Sequence, residues 1–381
     1  MASAARTVRV SCTPEVLTVE WAAGGSSEFA SLWLRDNLAE DRDPHSGQRL
    51  VDVADLPAAP RLRAAHIDDG RVRIEWEGES GAASLSLEWL AAQAAGGAAR
   101  RPERQVRRWL EGARLDAHRD FAWIGLATAR AAAAARLDWL TRLAQDGLAF
   151  LTGVPCEHHA ILAAAALIGR VAETNYGQVF DVRSVPQPEN LAYSDLGLGL
   201  HTDNPYREPV PGFQALHALV TSPEGGDSLF ADGFALAAHL RETDPEAFRL
   251  LSTTAVPFHY RSGDAELYAE RPLIQLACDG EVTAVHYNNR SIAPLALAAR
   301  EVPAFYAAYR RFATLLREPR FQLRLRLADG ELVVFDNQRV LHGRTAFTSA
   351  RHPRHLQGCY LTRDSVLSEV GVLRRRMREA P

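Results

Sequence analysis

Apolar residues between Val8 and about Leu90 fall in short alternating runs, at 16–21, 29–34, 61–67 and 72–76, separated by Gly, Asp and Ser. A period of two in residues of this kind predicts strands, so 1–95 reads as a small β-rich N-terminal domain. The alanine-rich stretch after Leu90 and the arginines that follow predict a boundary of linker and helix over 96–120. From Phe121 the pattern changes. Apolar spacings of three and four predict helices at 127–145 and 158–172, with a strand candidate at 148–151 between them. Beyond Asn190 strands and loops dominate, among them a run at 331–337, with helices at 232–241, 245–251 and 303–316. This mixture suits a mainly β domain over 121–381: a double-stranded β-helix, or jelly roll, buttressed by helices.

Composition narrows the function. With 381 residues, 47% of them apolar, the chain can build one large core and a small one. A net charge of −4 argues against a nucleic-acid or anionic-membrane partner. All 43 basic residues are arginine, which removes lysine Schiff-base chemistry and P-loop phosphate binding. Cys12, Cys156, Cys278 and Cys359 are scattered, so neither a disulfide framework nor a thiolate zinc site is encoded. The absence of a signal-peptide pattern or a long apolar span gives the expectation of a cytoplasmic protein.

The chemistry centres on Leu200-His201-Thr202-Asp203-Asn204-Pro205. Side chains two apart on a strand share a face, so His201 and Asp203 can reach one metal. His342, just beyond the 331–337 run, supplies a second imidazole. Two imidazoles and one carboxylate on one side of Fe(II) leave positions open for a 2-oxo acid and O2. The distal carboxylate of such an acid needs a planar two-donor partner, for which Arg344, Arg351 and Arg354 all stand nearby. A zinc hydrolase could use the same three ligands, but no general-base motif accompanies them.

With these motifs, and with Ser31-Leu32-Trp33-Leu34-Arg35-Asp36-Asn37, Pro211-Gly212-Phe213-Gln214-Ala215-Leu216-His217, Gly225-Gly226-Asp227-Ser228, Phe335-Asp336-Asn337 and Arg354-His355-Leu356-Gln357-Gly358-Cys359-Tyr360, the chain resembles the TauD/TfdA-type Fe(II)/2-oxoglutarate dioxygenases, within them the gamma-butyrobetaine dioxygenase branch. The resemblance implies a hydroxylase with Fe(II), 2-oxoglutarate and O2, and a homodimer. It makes Arg354 the cosubstrate clamp, because it precedes the His-Leu-Gln-Gly-Cys-Tyr run, with Ser228 as a helping hydroxyl. Family members often hold zinc in the N-terminal domain through cysteines after the Arg-Asp-Asn motif. Those cysteines are missing here, so no structural zinc is expected; Asp41, Asp43 and His45 read as a solvated acidic loop.

Substrates of the resembling branch carry a trimethylammonium head, which donates no hydrogen bonds and is recognised by aromatic faces. The matching positions are Tyr176, Phe180, Tyr193 and Tyr360, Phe180 standing where some members have tryptophan. Asn190 and the segment Tyr287-Asn288-Asn289-Arg290 would hold the anionic end. Amides suffice for a carboxylate, as in gamma-butyrobetaine on its way to carnitine. An arginine beside two asparagines suits a phosphonate, which makes 2-(trimethylamino)ethylphosphonate the alternative. A noncatalytic betaine-binding protein is the more remote reading.

Overall fold

The computed structural model describes residues 7–96, 105–110, 115–183, 196–222, 224–347 and 354–379. The chain divides into two compact units, Met1–Arg101 and Pro102–Pro381. Among the described residues no helix is long and apolar enough to cross a membrane.

The first unit holds two three-stranded antiparallel sheets. Strands β1 (Arg9–Cys12), β2 (Val16–Glu20) and β3 (Ser26–Ala30) form one; β4 (Leu62–Asp68), β5 (Arg71–Trp76) and β6 (Ala83–Ser86) form the other. Alternate residues point inward, so Leu17 and Val19 meet Val72, Ile74, Trp76 and Leu85 in one core. The expected strand over 29–34 stops at Ala30, and Ser31–Asp36 is a helix. Ser31 and Leu34, three apart, are its buried residues, and the Trp76 indole donates to Ser31 Oγ at 2.9 Å, so burial on a helical period overrides the strand-like composition. In the loop after Asn37, Asp41 pairs with Arg35 at 2.5 Å, and Asp43 Oδ1 accepts from the Ser46 backbone and hydroxyl at 2.6 and 2.7 Å. These bonds commit both carboxylates locally.

The second unit is the jelly roll. Its larger sheet runs β10-β21-β12-β19-β8-β7, with β9 on the side of β21. These strands are β7 (Ala122–Gly125), β8 (Leu148–Thr152), β9 (Val171–Ala172), β10 (Phe180–Arg183), β12 (Phe213–Val220), β19 (Leu332–Asp336) and β21 (His355–Leu361). The smaller sheet, β11-β20-β13-β18, comprises β11 (Leu198–His201), β13 (Ser228–Asp232), β18 (Leu323–Leu325) and β20 (Val340–Arg344). Two peripheral hairpins supply β14 (Val256–Arg261) with β15 (Glu266–Arg271), and β16 (Ile274–Leu276) with β17 (Val282–Val285).

The larger sheet is covered on both faces, which explains why β19 reads as an unbroken apolar run. Leu332 and Val334 face Trp139, Leu143, Val366 and Val370 of two flanking helices, Ala133–Asp146 and Arg363–Glu379. Val333 and Phe335 face Phe230 and Val340 of the smaller sheet. Helices Gly233–Thr243, Pro245–Thr253 and Val302–Leu315 pack on the outer side of that sheet around Leu200, Ala231 and Leu341.

Two expected helices differ. That over 127–145 is split at Ala132, which takes an extended conformation between Leu126–Ala131 and Ala133–Asp146. That over 158–172 survives only as Ala160–Ala165, because Val171 and Ala172 pair with Leu361 and Tyr360 and sheet pairing wins over alanine's helical preference. At the root of the smaller sheet Arg339, 1% exposed, donates to both oxygens of Asp232 at 3.0 and 2.8 Å and to the Gln145 and Arg107 carbonyls at 2.6 Å. Every charge there has a partner, as a buried ion pair requires, and β13 and β20 are thereby held in one register.

Candidate active site

His201 and His342 sit directly opposite each other on β11 and β20, with ring centroids 4.3 Å apart. Along these strands Leu198 pairs with Arg344 and His201 with His342, so three steps on β11 span two on β20. That extra residue is a bulge, which lets Leu198 and His201, three apart, both face the cavity while Leu200 faces out. Gly343 permits it, since a Cβ there would lie 2.5 Å from the Leu198 carbonyl oxygen. Within the bulge His201 Nδ1 lies 2.8 Å from the Gly199 carbonyl oxygen; as donor there it leaves Nε2 free for a metal.

Asp203 lies just past the end of β11. Its backbone N–H donates to Asn337 Oδ1 at 2.7 Å, and Asn337 Nδ2 returns a bond to the Asp203 carbonyl at 3.0 Å. Thr202 is tied to the Tyr287 backbone on both sides, and Asn204 at φ +53° turns the chain away. So held, Asp203 Oδ1 is 3.2 Å from His201 Nε2 and Oδ2 is 3.8 Å from His342 Nε2, while the Tyr360 hydroxyl donates to Oδ2 at 2.8 Å.

Burial alone would raise the Asp203 pKa, but His342, the bond from His201 and the Tyr360 hydroxyl outweigh it and hold the carboxyl well below its usual range. Burial, then His201, pushes His342 down to about 3, so its imidazole is neutral. Two imidazoles and an ionised carboxylate, with ligand atoms all within 4.8 Å of one another, fit a divalent ion with open positions. No other such cluster occurs among the described residues.

The cavity beside these ligands is walled by Val182, Leu216, Phe230 and Leu356, with Ser228, Arg344 and Arg354 in the same lining. Ser228 stands opposite Arg344 in the β13–β20 pair, and Phe230 opposite His342. Arg354 is 8% exposed, its guanidinium carbon 5.8 Å from the Phe347 ring centre. Burial, and then Arg344, lowers its pKa to about 10, with Asp227 opposing. Asp227 is itself engaged by Arg324 and Arg326 at 2.7 Å each. The buried guanidinium of Arg354 in this wall suits an anion.

Toward the other side the wall is aromatic. Phe180 and Tyr360 have centroids 5.0 Å apart, Tyr176 and Phe180 6.5 Å. Gly358, opposite Phe180 on β21, makes room: a Cβ there would lie 2.3 Å from the Phe180 ring. Behind Tyr176 stand Tyr260 and Tyr206, stacked at 5.0 Å. Arg290 lines the same cavity.

The model of the taurine catabolism dioxygenase TauD, TfdA family matches residues 118–360. The chain belongs to the TauD/TfdA family. It is 39% identical to a gamma-butyrobetaine dioxygenase of Pseudomonas sp. (strain AK-1), over 94% of each chain. The gamma-butyrobetaine dioxygenase of Homo sapiens is 31% identical over 63% of each chain, and a trimethyllysine dioxygenase of Meyerozyma guilliermondii 27% identical over 96% of this chain and 95% of that one. As a TauD/TfdA enzyme the protein is a dioxygenase that uses Fe(II) and 2-oxoglutarate.

For this TauD/TfdA member the structure brings His201, Asp203, His342, Ser228, Arg354, Tyr176, Phe180, Tyr360 and Arg290 around one cavity. Asn288 and Asn289 line a neighbouring groove with Tyr287 and Tyr309, one that His201 and Arg290 also line. The Asn288 amide donates to the Thr202 carbonyl at 3.0 Å and accepts from the Arg290 backbone, and Asn289 Oδ1 accepts from the Tyr309 hydroxyl at 2.7 Å. Both ends of the Asn288 amide are thus engaged by the fold beside Asp203. Asn190, Tyr193 and Arg351 lie outside the described residues.

Asn337 and Tyr206 were not foreseen. The sequence signals for Asn337 were its place just after the β19 run and its membership of the Phe335-Asp336-Asn337 motif, neither of which assigns it a role. Tyr360 has a second duty besides its place in the aromatic wall: its hydroxyl accepts from Asn204 Nδ2 at 3.1 Å and orients Asp203. Tyr360→Phe is expected to lower metal affinity by about 10- to 100-fold, the usual cost of losing a group that orients a ligand. Competition titration with Co(II) checks this, and unchanged affinity would show that Asp203 needs only Asn337.

Proposed function

We propose that the protein hydroxylates a trimethylammonium zwitterion, gamma-butyrobetaine before others. The observation that carries this is the wall of Tyr176, Phe180 and Tyr360 on the same cavity as the metal ligands, together with two relatives named for that substrate. Aromatic faces attract a quaternary ammonium without needing a hydrogen bond.

Bound to His201, Asp203 and His342, Fe(II) with 2-oxoglutarate and O2 supplies the oxidising chemistry that hydroxylates an unactivated carbon while succinate and CO2 leave. The side chains do the positioning. Arg354 and Ser228 hold the distal carboxylate of the cosubstrate, and Leu216, Phe230 and Leu356 keep water from its apolar stem. The aromatic wall fixes the cationic head, Arg290 the anionic end, and the distance between them selects the methylene presented to the metal.

A second reading rests on Arg290. With the Asn288 amide engaged at the Thr202 carbonyl and the Arg290 backbone, the charged group on that side is the Arg290 guanidinium, which matches a phosphonate at least as well as a carboxylate. Substrate-dependent succinate from gamma-butyrobetaine and from 2-(trimethylamino)ethylphosphonate, measured side by side, separates the two. Tighter coupling with the carboxylate is expected, tighter coupling with the phosphonate would establish the second reading, and turnover of neither would overturn both. In the same assay Tyr176→Leu is expected to raise KM for the substrate by roughly 2- to 30-fold, the span of one cation–π contact, while leaving KM for 2-oxoglutarate unchanged.

A further inference from the structure

Gln214 is the polar residue of the cavity that the assignments above do not use. It lies on β12, 2% exposed, and lines the same cavity as His201, Asp203, His342, Ser228 and Arg354. Its Oε1 is buried without a hydrogen-bond partner. The side chain's place is set by register. Across β12–β21 it stands opposite Tyr360, whose hydroxyl holds Asp203; across β12–β19 it stands opposite Phe335, whose ring centre is 4.7 Å from that of His342. Gln214 therefore sits between the supports of two metal ligands, on the strand face that carries Leu216 deeper toward Arg354.

The unpartnered position is occupied by Oε1, and a half-turn of the amide, which exchanges its oxygen and nitrogen, places the Nε2 donors there instead; a buried amide so placed needs a partner that the protein does not provide. A 2-oxo acid held at its far end by Arg354 brings its chelating carboxylate to the metal ligands, which share the cavity lining with Gln214 and with Asn204, Tyr360 and Arg290; Asn204 and Tyr360 are engaged with each other, and Tyr360 with Asp203, and Arg290 is given to the substrate's anion above. We propose that Gln214 is a cosubstrate-binding residue, its amide donating from Nε2 to the chelating carboxylate of the 2-oxo acid. The pocket would then grip the cosubstrate at both ends, by a guanidinium at the far carboxylate and by a neutral amide at the near one. A neutral donor suits the near end, where the metal already supplies the positive charge. The proposal rests on the Fe(II)/2-oxoglutarate assignment.

The test is an anaerobic titration of the Fe(II)-loaded full chain, following the metal-to-ligand charge-transfer absorption of the chelate. Wild type, Gln214→Leu and Gln214→Met are each titrated with 2-oxoglutarate and with N-oxalylglycine, which share the chelating end. Butyrate, which keeps the distal carboxylate and stem but lacks the chelating end, is titrated by calorimetry. Loss of one hydrogen bond to a charged group is expected to weaken both chelators by roughly tenfold or more and to shift the absorption band, with butyrate and Co(II) affinity unchanged. Wild-type affinities and an unshifted band in whichever variant folds would overturn the role and leave Gln214 to an ordered water. Equal weakening of butyrate would also overturn it, since the damage would then be general. Absence of the band in wild type would instead overturn the cosubstrate assignment itself.

Discussion

Asp203→Asn is expected to abolish substrate-dependent succinate formation while leaving the fold intact. Asparagine has the same shape, and the two bonds between Asn337 and the Asp203 backbone do not involve the carboxylate, so the loop keeps its course. What is lost is the negative charge that lies 3.2 Å from His201 Nε2 and 3.8 Å from His342 Nε2. Without it the site offers two imidazoles and an amide, a poor set for Fe(II). A bound metal supplies several kcal/mol to a reaction of this type, which at about 1.4 kcal/mol per decade means a loss on the order of a thousandfold or more. Succinate assay, Co(II) titration and thermal melting of the same preparation check this. Retained turnover in Asp203→Asn, or in His201→Ala, would remove the metal site from the chemistry.

The second large effect concerns Arg354. Arg354→Met is expected to lower kcat/KM for 2-oxoglutarate by about 100- to 1,000-fold, since truncating one partner of a buried, hydrogen-bonded charge pair costs about 2–5 kcal/mol. Met keeps much of the aliphatic stem beside Phe347 but none of the donors. Arg354→Lys restores only part, because an ammonium cannot offer two parallel donors to a carboxylate. The apo protein should move the other way. In the absence of an anion Arg354 is a buried cation in the same wall as Arg344, and its pKa is already lowered for that reason. Removing it is expected to raise the melting temperature of the apo protein and abolish the rise that 2-oxoglutarate produces in wild type. Unchanged KM in both variants would pass the clamp to Arg344.

The jelly roll was legible in the sequence because its strands are short, apolar and closely spaced, and because β19 reads as a strand buried on both faces. The ligand triplet was legible for the same local reason. What was not legible depends on residues far apart in the chain. Asn337 and Tyr360, separated from Asp203 by 134 and 157 residues, decide its direction, and no periodicity reports such a bond. Asp203 lies past the end of β11 and is held there by Asn337, so the simple expectation of His201 and Asp203 on one strand face gave the right pair by the wrong geometry. The bonds of Asn288 and Asn289 were equally hidden, because an amide that closes a backbone turn looks, in sequence, the same as one that faces a ligand. In the N-terminal unit, the run after Ala30 mixes helical and strand preferences, and only the partner of Ser31, a tryptophan 45 residues later, decides between them.

The pairing of β13 with β20 also sets a length scale. Phe230 faces His342 and Ser228 faces Arg344, so the metal ligand and the polar end of the cavity are one pleat apart. One pleat is two residues, roughly 7 Å of strand. The acid that fits is therefore gauged by a fixed ruler cut into the sheet, and its two carboxylates must match that spacing whatever the flexibility of its carbon chain. Because Arg339 and Asp232 lock the same two strands at their far end, the ruler cannot slide: a slip of β20 by one residue would turn the His342 and Arg344 side chains out of the barrel together. Tolerance for other 2-oxo diacids is thus a property of sheet register, and resizing the pocket for a longer one means rebuilding two strands rather than trimming a side chain.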